Sequence, residues 1–504
     1  MAMNICIVGA GIVGVIQALD LVLRNDDNIR VTLLEANAQA GKVTSNNHVG
    51  ISSPFKVTGP SKEGSEDLEI KKLSDTQKPE GAFAREYRST YNTPENLDAG
   101  ISDSVEYRKM RLASHIKLLK MIEKLEKKGF VAPLNNTGVL HCFPPGQEKE
   151  FEEAIRASEK FVTEANEWLT DEGKEVISKH RPEHLAELNP DGDILIKEIS
   201  WDEAIKIDSQ VSRLPRKTKF MLNDPAINAD IGKLTRFFAD CFNQLGGKVI
   251  YAAKVVDVIV DNEIVTHLIT ENPDSSNIQV DAVIWATGAS YTFGKETHPI
   301  SKKGGHIPTM SFKGYTIDVE VPEQDFKIFN LEPERKSLQN IALRNSPKNH
   351  VLTTTVVEHN GKLYYRAAGT SEPNQSNTDI TTEGAKRNIG ILEQALMEVM
   401  PQLRDSSAVD ANYKFRQDLD IKKTGCERPY SAKGKPVLGQ KGPKNSFLNE
   451  GHGFLGWTLS NQCASLVSTQ VVSYLQGKGT NPIEGNSPEE YQKLEAEIQA
   501  LGNG

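Results

Sequence analysis

Cysteine is scarce in this sequence, and no group of cysteines and histidines has the spacing of a metal site. The five cysteines (Cys6, Cys142, Cys241, Cys426 and Cys463) are scattered and odd in number, so neither a disulfide framework nor a zinc site is expected. No run approaches the roughly 18 apolar residues that a membrane-spanning helix requires, and the first strand pattern begins too early to follow a signal peptide. We therefore expect a cytoplasmic protein without a metal site, with at most peripheral contact with the inner membrane.

The sequence also lacks a strong surplus of charge of either sign. It carries 59 Lys and Arg against 68 Asp and Glu in 504 residues, a formal net charge of −9. Nucleic acid is not expected as a partner, because phosphate binding needs clustered basic residues. The hydrophobic content of 38% is ordinary for a soluble globular protein, and the length predicts more than one domain.

A glycine-rich turn near the N-terminus has the pattern of a dinucleotide-binding site. An apolar run of strand length at 4–8 leads into Gly9-x-Gly11-x-x-Gly14 and then into a helical pattern. The first glycine permits the tight turn, the second lets the backbone approach a pyrophosphate, and the third allows the helix to pack closely on the strand. Glu35 ends the next strand, where a carboxylate can bind ribose hydroxyls. The predicted contacts are Gly9, Ala10, Gly11, Ile12, Val13, Gly14 and Glu35.

Two further segments favour FAD over NAD, since Glu35 suits the adenosine ribose of either cofactor. Residues 41–45 suit a second set of phosphate contacts, with Lys42, Thr44 and Ser45 as candidates. Residues 451–458 are glycine-rich and open a helix, whose N-terminal dipole can face the negative charge of a reduced flavin. The alternative for 451–458 is a flexible loop before a terminal helix.

Rossmann-type patterns occur at the start, middle and end of the chain, with mixed-sheet patterns between them. The fold class is therefore predicted as α/β and α+β, with a Rossmann-like FAD-binding domain interleaved with a mixed-sheet substrate domain. Helices are expected at 105–128, 148–172, 228–245 and 384–399, and strands at 316–321, 350–357 and 363–368. The predicted domains are 1–58, 212–300 and 415–485 for FAD, 59–211 and 301–414 for substrate, and 486–504 as a C-terminal tail.

Several motifs occur in a combination typical of one enzyme superfamily. The segments are residues 44–54, Lys313-Gly314-Tyr315, residues 365–372, Arg428-Pro429 followed by 434–439, and residues 451–458. Together they resemble the D-amino-acid oxidase superfamily of FAD-dependent oxidoreductases, and within it the bacterial D-amino-acid dehydrogenases. Residues 451–458 match best, whereas residues 60–210 are only loosely similar.

The resemblance implies an FAD enzyme that transfers a hydride from a substrate α-carbon to flavin N5 and gives an imino acid. It implies that Val255 contacts the adenine through backbone groups, that residues 286–288 lie near the dinucleotide, and that residues 453–458 hold the isoalloxazine and ribityl. The contacts added by resemblance are Val49, Val255, Ala286, Thr287, Gly288, Gly453, Phe454, Leu455, Gly456, Trp457 and Thr458.

Arg428 is the main candidate for binding a substrate carboxylate, because a guanidinium group can donate two parallel hydrogen bonds to it. The alternative is a surface arginine paired with Glu427. His48 and His452 lie in flavin-side segments and could tune protonation, although such histidines more often have structural roles. His48 also stands where the family usually has Asn, which leaves the substrate open.

Three more residues of the mixed-sheet region have two interpretations each. Tyr315 and Tyr365 could donate hydrogen bonds to the substrate carboxylate, or they could be packing residues on their strands. Arg366 matches a family arginine, but it could also simply pair across the sheet.

Several functions fit these residues. The first is a D-amino-acid dehydrogenase that passes electrons to a quinone or another respiratory carrier. The second is an oxidase of the same fold that acts on glycine, sarcosine or another secondary amine and produces hydrogen peroxide. A non-catalytic FAD-binding protein is less favoured, since a carboxylate-binding arginine beside a flavin loop indicates catalysis. An NAD-only dehydrogenase is a fourth, less favoured interpretation.

Cys426 lies two residues before Arg428, where the related sarcosine oxidase branch has a cysteine covalently linked to its flavin. We expect the commoner situation of a buried, inert cysteine. Acid precipitation of the protein should therefore leave all of the flavin in the supernatant, and mass spectrometry should find no flavin adduct on Cys426. Flavin that stays with the precipitate would contradict this expectation.

Overall fold

The computed structural model describes most of the chain. The described residues are 2–41, 50–55, 105–135, 138–181, 183–186, 189, 193–207, 211–212, 214–291, 298–303, 305, 309–321, 341–343, 350–373, 378–405, 414–431, 435–480 and 483.

Strands and helices are numbered in chain order. The strands are β1 (Met3–Val8), β2 (Ile29–Leu34), β3 (Ile51–Ser52), β4 (Leu134–Asn135), β5 (Val139–Phe143), β6 (Ile196–Ile199), β7 (Lys219–Asn223), β8 (Ile227–Ala229), β9 (Lys248–Ile250), β10 (Val255–Asp261), β11 (Ile264–Thr270), β12 (Asn277–Gln279), β13 (Ala282–Trp285), β14 (Met310–Glu320), β15 (Ile341–Leu343), β16 (His350–His359), β17 (Lys362–Pro373), β18 (Ile421–Tyr430), β19 (Val437–Gln440) and β20 (Ser446–Glu450). The helices are α1 (Ile12–Val22), α2 (Val105–Glu126), α3 (Glu148–Trp168), α4 (Asp171–Lys179), α5 (Glu183–Ala186), α6 (Trp201–Ile207), α7 (Ile231–Gln244), α8 (Glu383–Val399) and α9 (Gly456–Leu475).

Within the described ranges, six strands form a sheet in the order β19-β20-β13-β1-β2-β9. β1 pairs in parallel with β2 and β13, and β13 pairs in parallel with β20. One face packs against α1, α7 and α9, and the other against the antiparallel β10-β11-β12 sheet. Because both faces of this sheet are covered, nearly all residues of β1 and β13 are apolar. The carboxyl ends of β1, β2, β13 and β20 therefore meet at one edge.

A larger mixed sheet contains the strands predicted between the Rossmann-type segments. In the described part of the chain its order is β18-β14-β17-β16-β15-β5-β7-β6. Its neighbours are antiparallel except for β15 and β5, and α6 and α8 pack on one face. The predicted fold class, a Rossmann-like unit with a mixed-sheet unit, is confirmed. β7 and β18 belong to this sheet although they fall within the segments predicted to bind FAD, and the domain boundaries stay a prediction.

The predicted helix at 148–172 is wrong in its last turn. The chain becomes extended at Leu169, and α4 begins after Thr170, whose side-chain oxygen accepts a hydrogen bond from Gly173 N–H at 3.2 Å. A residue with a short oxygen side chain at this position favours a new helix start, because it satisfies a backbone donor that has no partner within the helix. Apolar periodicity alone does not indicate this helix start.

The larger sheet buries an ion pair between β14 and β17. Asp318 accepts hydrogen bonds from Arg366 Nε at 2.8 Å and Nη2 at 2.7 Å, and His359 Nε2 lies 2.8 Å from its second oxygen. Burial raises the pKa of Asp318, but the hydrogen bonds from Arg366 and His359 outweigh burial and lower it. Arg366 thus has the cross-sheet pairing role.

A buried polar network ties α1 to β20 and α9. Gln17 Nε2 donates to Ser468 Oγ at 2.6 Å and to the Ala464 carbonyl at 3.2 Å, and Gln17 Oε1 accepts from Asn449 Nδ2 at 2.8 Å. All of the side chains in this network are buried. Because buried polar groups are costly when left unsatisfied, the network fixes how the two helices lie against each other.

We expect Gln17→Leu to lower the free energy of unfolding by about 2 kcal/mol or more, because it leaves the Asn449 amide and the Ser468 hydroxyl unsatisfied. Urea unfolding followed by circular dichroism measures the change. Gln244→Leu at the exposed end of α7 is the matched control, with an expected change within about 0.5 kcal/mol. Equal losses in the two variants would contradict a role for the network.

Candidate active site

The turn between β1 and α1 is built by close backbone approaches. Gly9 has φ +106°, and a Cβ there would overlap the carbonyl oxygen of Ala286. A Cβ on Gly14 would overlap the carbonyl oxygen of Gly9. These are the tight turn and the close helix packing that the glycine pattern predicts. Ala10 and Ile12 are buried in the same turn, and Gly11 and Val13 are partly exposed.

Glu35 lies at the end of β2, directly beside this turn. Its side chain is buried, and its oxygens accept hydrogen bonds from Ala10 N–H at 2.9 Å and from Asn37 N–H at 2.8 Å. Backbone hydrogen bonds join Glu35 to Ile250 and Ala253, so the segment that leads into Val255 runs alongside. The structure therefore brings the acid, the glycine turn and the start of β10 together.

Residues 286–288 follow β13 and pack on the glycine turn. Ala286 N–H donates to the Val8 carbonyl at 2.9 Å, and Gly288 follows in the same turn. Thr287 donates from its backbone N–H, at 3.2 Å, and from its hydroxyl to one oxygen of Glu450 at the end of β20. Sequence reasoning missed Glu450, because its role depends on burial and not on a motif.

The C-terminal glycine loop lies at the same edge of the sheet. An ideal Cβ on Gly456 would lie 3.8 Å from Val13 Cγ2, so the N-termini of α9 and α1 are neighbours. A Cβ on Gly453 would meet the Tyr430 ring at 2.6 Å, which leaves no room for a side chain there. In this loop Gly453 and Phe454 are partly exposed, whereas Leu455, Trp457 and Thr458 are buried.

The polar groups of this loop fit a cofactor that offers hydrogen-bonding atoms. His452 Nε2 and Trp457 Nε1 are buried and have no hydrogen-bond partner among the described residues. Burial lowers the pKa of His452 to about 3, so the imidazole is neutral near pH 7. A neutral histidine offers one donor and one acceptor. Two converging helix N-termini and a glycine-lined surface add the features that bind a phosphate-containing dinucleotide.

Arg428 lies on β18 opposite Phe312 of β14. Its guanidinium covers Gly314, whose ideal Cβ would lie 2.8 Å from Nη1. The side chain is half-buried, and within the described residues it makes no hydrogen bond or ion pair. Glu427, the alternative partner, is the neighbouring residue on the strand, so its buried side chain points to the opposite face.

Tyr430 and Phe312 lie beside Arg428 and are candidate site residues that the sequence reasoning missed. Tyr430 lies two residues after Arg428 and therefore on the same face of β18. Its ring lies 4.5 Å from that of Phe312 and 6.1 Å from that of Phe454, measured between centroids, and it pairs with His452 through a backbone bridge. The period of the strand could have indicated Tyr430, but Phe312 requires the pairing of β14 with β18.

Tyr315 and Tyr365 lie on the other face of the larger sheet from Arg428. Both are completely buried in the core beneath α6 and α8. This burial favours their packing role over contact with a substrate. Cys426 is opposite Gly314 and is also buried.

Five predicted site residues, Lys42, Thr44, Ser45, His48 and Val49, lie outside the described residues. In the part of the chain that the structure describes, no group of three or more His, Cys, Asp or Glu side chains is arranged to hold a metal ion. No helix in the described ranges is long and apolar enough to cross a membrane.

A parallel sheet with a glycine turn, an acid at the end of the second strand and a second helix N-terminus is typical of dinucleotide-binding proteins. The chain matches the family model described as DAO, FAD dependent oxidoreductase, over residues 4–470. It belongs to this family, and its cofactor is FAD.

The chain is similar to a D-amino acid dehydrogenase from Rhizobium rhizogenes, with 28% identity over 246 residues, 48% of each chain. The match spans about half of the length of the curated relatives. Among solved structures, the L-proline dehydrogenase from P. horikoshii has a TM-score of 0.57 at 14% identity, covering 98% of both chains. The glycine oxidase from Geobacillus kaustophilus has a TM-score of 0.55 at 15% identity, covering 96% of this chain and 100% of that one. At these identities the structures establish the fold.

We expect Gly14→Ala to abolish or strongly weaken FAD binding, because the new methyl group would displace the Gly9 backbone. Gly390→Ala in α8 is the matched control, since nothing lies within 4 Å of its added Cβ; it should keep bound FAD and stabilise the helix by up to about 1 kcal/mol. The absorbance of bound flavin after gel filtration measures retention, and circular dichroism checks the fold. A folded Gly14→Ala variant with the wild-type FAD content would contradict the expectation.

Proposed function

We propose that the protein is an FAD-dependent dehydrogenase that oxidises a small D-amino acid at its α-carbon. The observation that carries the proposal is the half-buried guanidinium of Arg428, which has no partner among the described residues and lies two residues from Tyr430. Tyr430 in turn contacts the glycine loop that we propose for the flavin. A carboxylate group on Arg428 would therefore bring the adjoining α-carbon close to that loop.

Arg428 would bind the substrate carboxylate through two parallel hydrogen bonds. Gly314 supports this role, because the absence of a side chain lets the guanidinium lie against the sheet. Fixing the carboxylate restricts the rotation of the α-carbon, and such positioning contributes much of the rate in hydride transfer. The role belongs to Arg428 and not to Arg366, which is already paired with Asp318.

Bound FAD supplies the hydride acceptor, so the substrate loses its α-hydrogen with both electrons while the amine nitrogen forms the C=N bond of an imino acid. Phe312 and Tyr430 would exclude water beside Arg428, which strengthens the carboxylate hydrogen bonds. His452 would act as a neutral hydrogen-bonding group towards the cofactor, since its low pKa keeps it uncharged. No side chain is assigned as a base at the α-carbon.

The proposal specifies a D-amino acid as the substrate and an electron acceptor other than oxygen. The curated relatives are named D-amino acid dehydrogenases, which supports both the D configuration and an acceptor other than oxygen, such as a quinone or respiratory carrier. Solved structures of the same fold include a glycine oxidase and an L-proline dehydrogenase. An oxidase of glycine or a secondary amine is therefore the competing function.

One experiment separates these functions. The purified holoprotein is mixed without oxygen with D-amino acids, L-amino acids, glycine and N-methylglycine, and bleaching of the flavin absorbance is followed. Reduction by D-amino acids and slow reoxidation in air are expected. Reduction by glycine or N-methylglycine with fast reoxidation and peroxide formation would favour the oxidase, and a protein without flavin would overturn the proposal.

Arg428→Ala should keep bound flavin but lose saturable reduction, with KM raised at least about 100-fold, because each charge-assisted hydrogen bond contributes about 1.5–3 kcal/mol. Arg428→Lys should recover part of the affinity, since it keeps the charge but not the paired donors. Arg30→Ala, which changes an exposed side chain of β2, is the control and should leave KM unchanged. Anaerobic stopped-flow reduction at varied substrate concentration measures the effect. Unchanged kinetics in Arg428→Ala would remove this residue from the substrate site.

A further inference from the structure

Gly314 on β14 lies directly beneath the guanidinium group of Arg428. An ideal Cβ on Gly314 would overlap Arg428 Cζ and Nη2 and lie 2.8 Å from Nη1, and outside the adjoining residues these are the three nearest atoms. The φ angle of Gly314 is not in the left-handed region, so the backbone conformation does not require glycine there. The close approach of Arg428 is therefore the contact that excludes a side chain at this position.

The guanidinium group presents its flat face to Gly314. Arg428 Cζ is as close to the Cβ position as Nη2 is, and Nη1 is only slightly farther away. An edge-on approach would instead bring a nitrogen atom clearly closer than Cζ. Because the N–H donors lie in the plane of the group, they point along the surface of the sheet. A carboxylate that accepts two parallel hydrogen bonds from them lies in the same plane, at a height above β14 that the contact with Gly314 sets.

Neighbouring side chains restrict how the guanidinium group can move along β14. Phe312 and Thr316 lie on either side of Gly314 on the same face of the strand, and both are buried. Cys426, opposite Gly314 on β18, is buried as well. A methyl group on Gly314 would therefore raise the guanidinium group of Arg428 from the sheet, by about 1 Å before ordinary van der Waals distance is reached.

We propose that Gly314 is a positioning residue, whose missing side chain sets the height of Arg428 and thereby the distance from the substrate α-carbon to the flavin. This inference rests on the proposed function, in which Arg428 binds the substrate carboxylate. A misplacement of about 1 Å can lower the rate of a reaction by about 100-fold. The affinity for the carboxylate depends less on this height, because the charge and both donors of the arginine move together.

The first test is Gly314→Ala in the full-length holoprotein. The displaced atoms belong to the end of a flexible side chain, so the variant should fold and keep FAD, which circular dichroism and flavin absorbance check. The limiting rate of flavin reduction by D-alanine, measured by anaerobic stopped flow, should fall at least about tenfold. The dissociation constant of propanoate, measured by its effect on the flavin spectrum, should change by less than about threefold, because both donors are kept.

Gly390→Ala on α8 is the matched control, since nothing lies within 4 Å of its added Cβ, and it should keep the wild-type rate and propanoate affinity. A Gly314→Ala variant with the wild-type limiting rate would overturn the proposal. A loss of propanoate affinity as large as the loss of rate would also overturn it, because Gly314 would then act on binding and not on position.

A second pair of variants tests whether Gly314 acts through Arg428. Lysine ends in a compact ammonium group without a flat face, so a methyl group on Gly314 has less to displace in Arg428→Lys. Adding Gly314→Ala to Arg428→Lys should lower the limiting rate by less than about twofold, against at least about tenfold in the wild-type background. The same factor in both backgrounds would indicate a general effect on the sheet and would overturn the proposal.

Failure of this inference is distinguishable from failure of the proposed function. If Arg428→Ala keeps the wild-type KM and the wild-type affinity for propanoate, Arg428 does not bind the carboxylate and the proposed function fails. If Arg428→Ala loses that affinity while Gly314→Ala keeps the wild-type rate, the proposed function stands and only the positioning role fails.

Discussion

The contact between two backbone turns, one after β1 and one after β13, is the constraint on which the rest of the site depends. Gly9 and Ala286 approach so closely that only hydrogen fits on the Gly9 α-carbon. This approach is possible because β1 and β13 are parallel and in register up to Val8 and Trp285, so that both turns leave the sheet at the same edge. Glu35, the start of α1 and the loop before α9 all lie beside the turn after β1.

The arginines of the larger sheet illustrate how a common residue type acquires different roles. Arg366 lies in the middle of three strands, is buried, and is neutralised by Asp318 through two hydrogen bonds. Removing either partner would leave a buried charge, so the pair acts in folding. Arg428 lies on β18, the outermost strand of this sheet among the described residues, where it is half-buried and faces an aromatic neighbour instead of a carboxylate. Position within the sheet, and not the identity of the residue, separates the two.

Local chemistry made part of this site predictable from sequence. The glycine turn and Glu35 were predictable because a strand, a tight turn and a helix have requirements that lie within a few adjacent residues. The core positions of Tyr315 and Tyr365 were not, because which face of a strand is covered depends on helices elsewhere in the chain. Phe312 and Glu450 were missed for the same reason. Their neighbours are distant in sequence, and their burial arises only when β14 meets β18 and β20 meets β13.

The stretch from β18 through α9 crosses from the larger sheet to the six-stranded sheet without leaving the site. It contains Arg428 and Tyr430, then Glu450, and finally the loop and helix that begin at Gly453 and Gly456. In the proposed function, the arginine that binds the substrate and the loop beside the flavin therefore lie in one continuous stretch of the chain, whereas the glycine turn and Glu35 lie near the N-terminus. Exchange of this stretch between related chains would transfer the proposed substrate contact and the flavin-side loop together and leave the glycine turn in place, whereas changes in the segment from α2 to α6 would leave all of these parts unaltered.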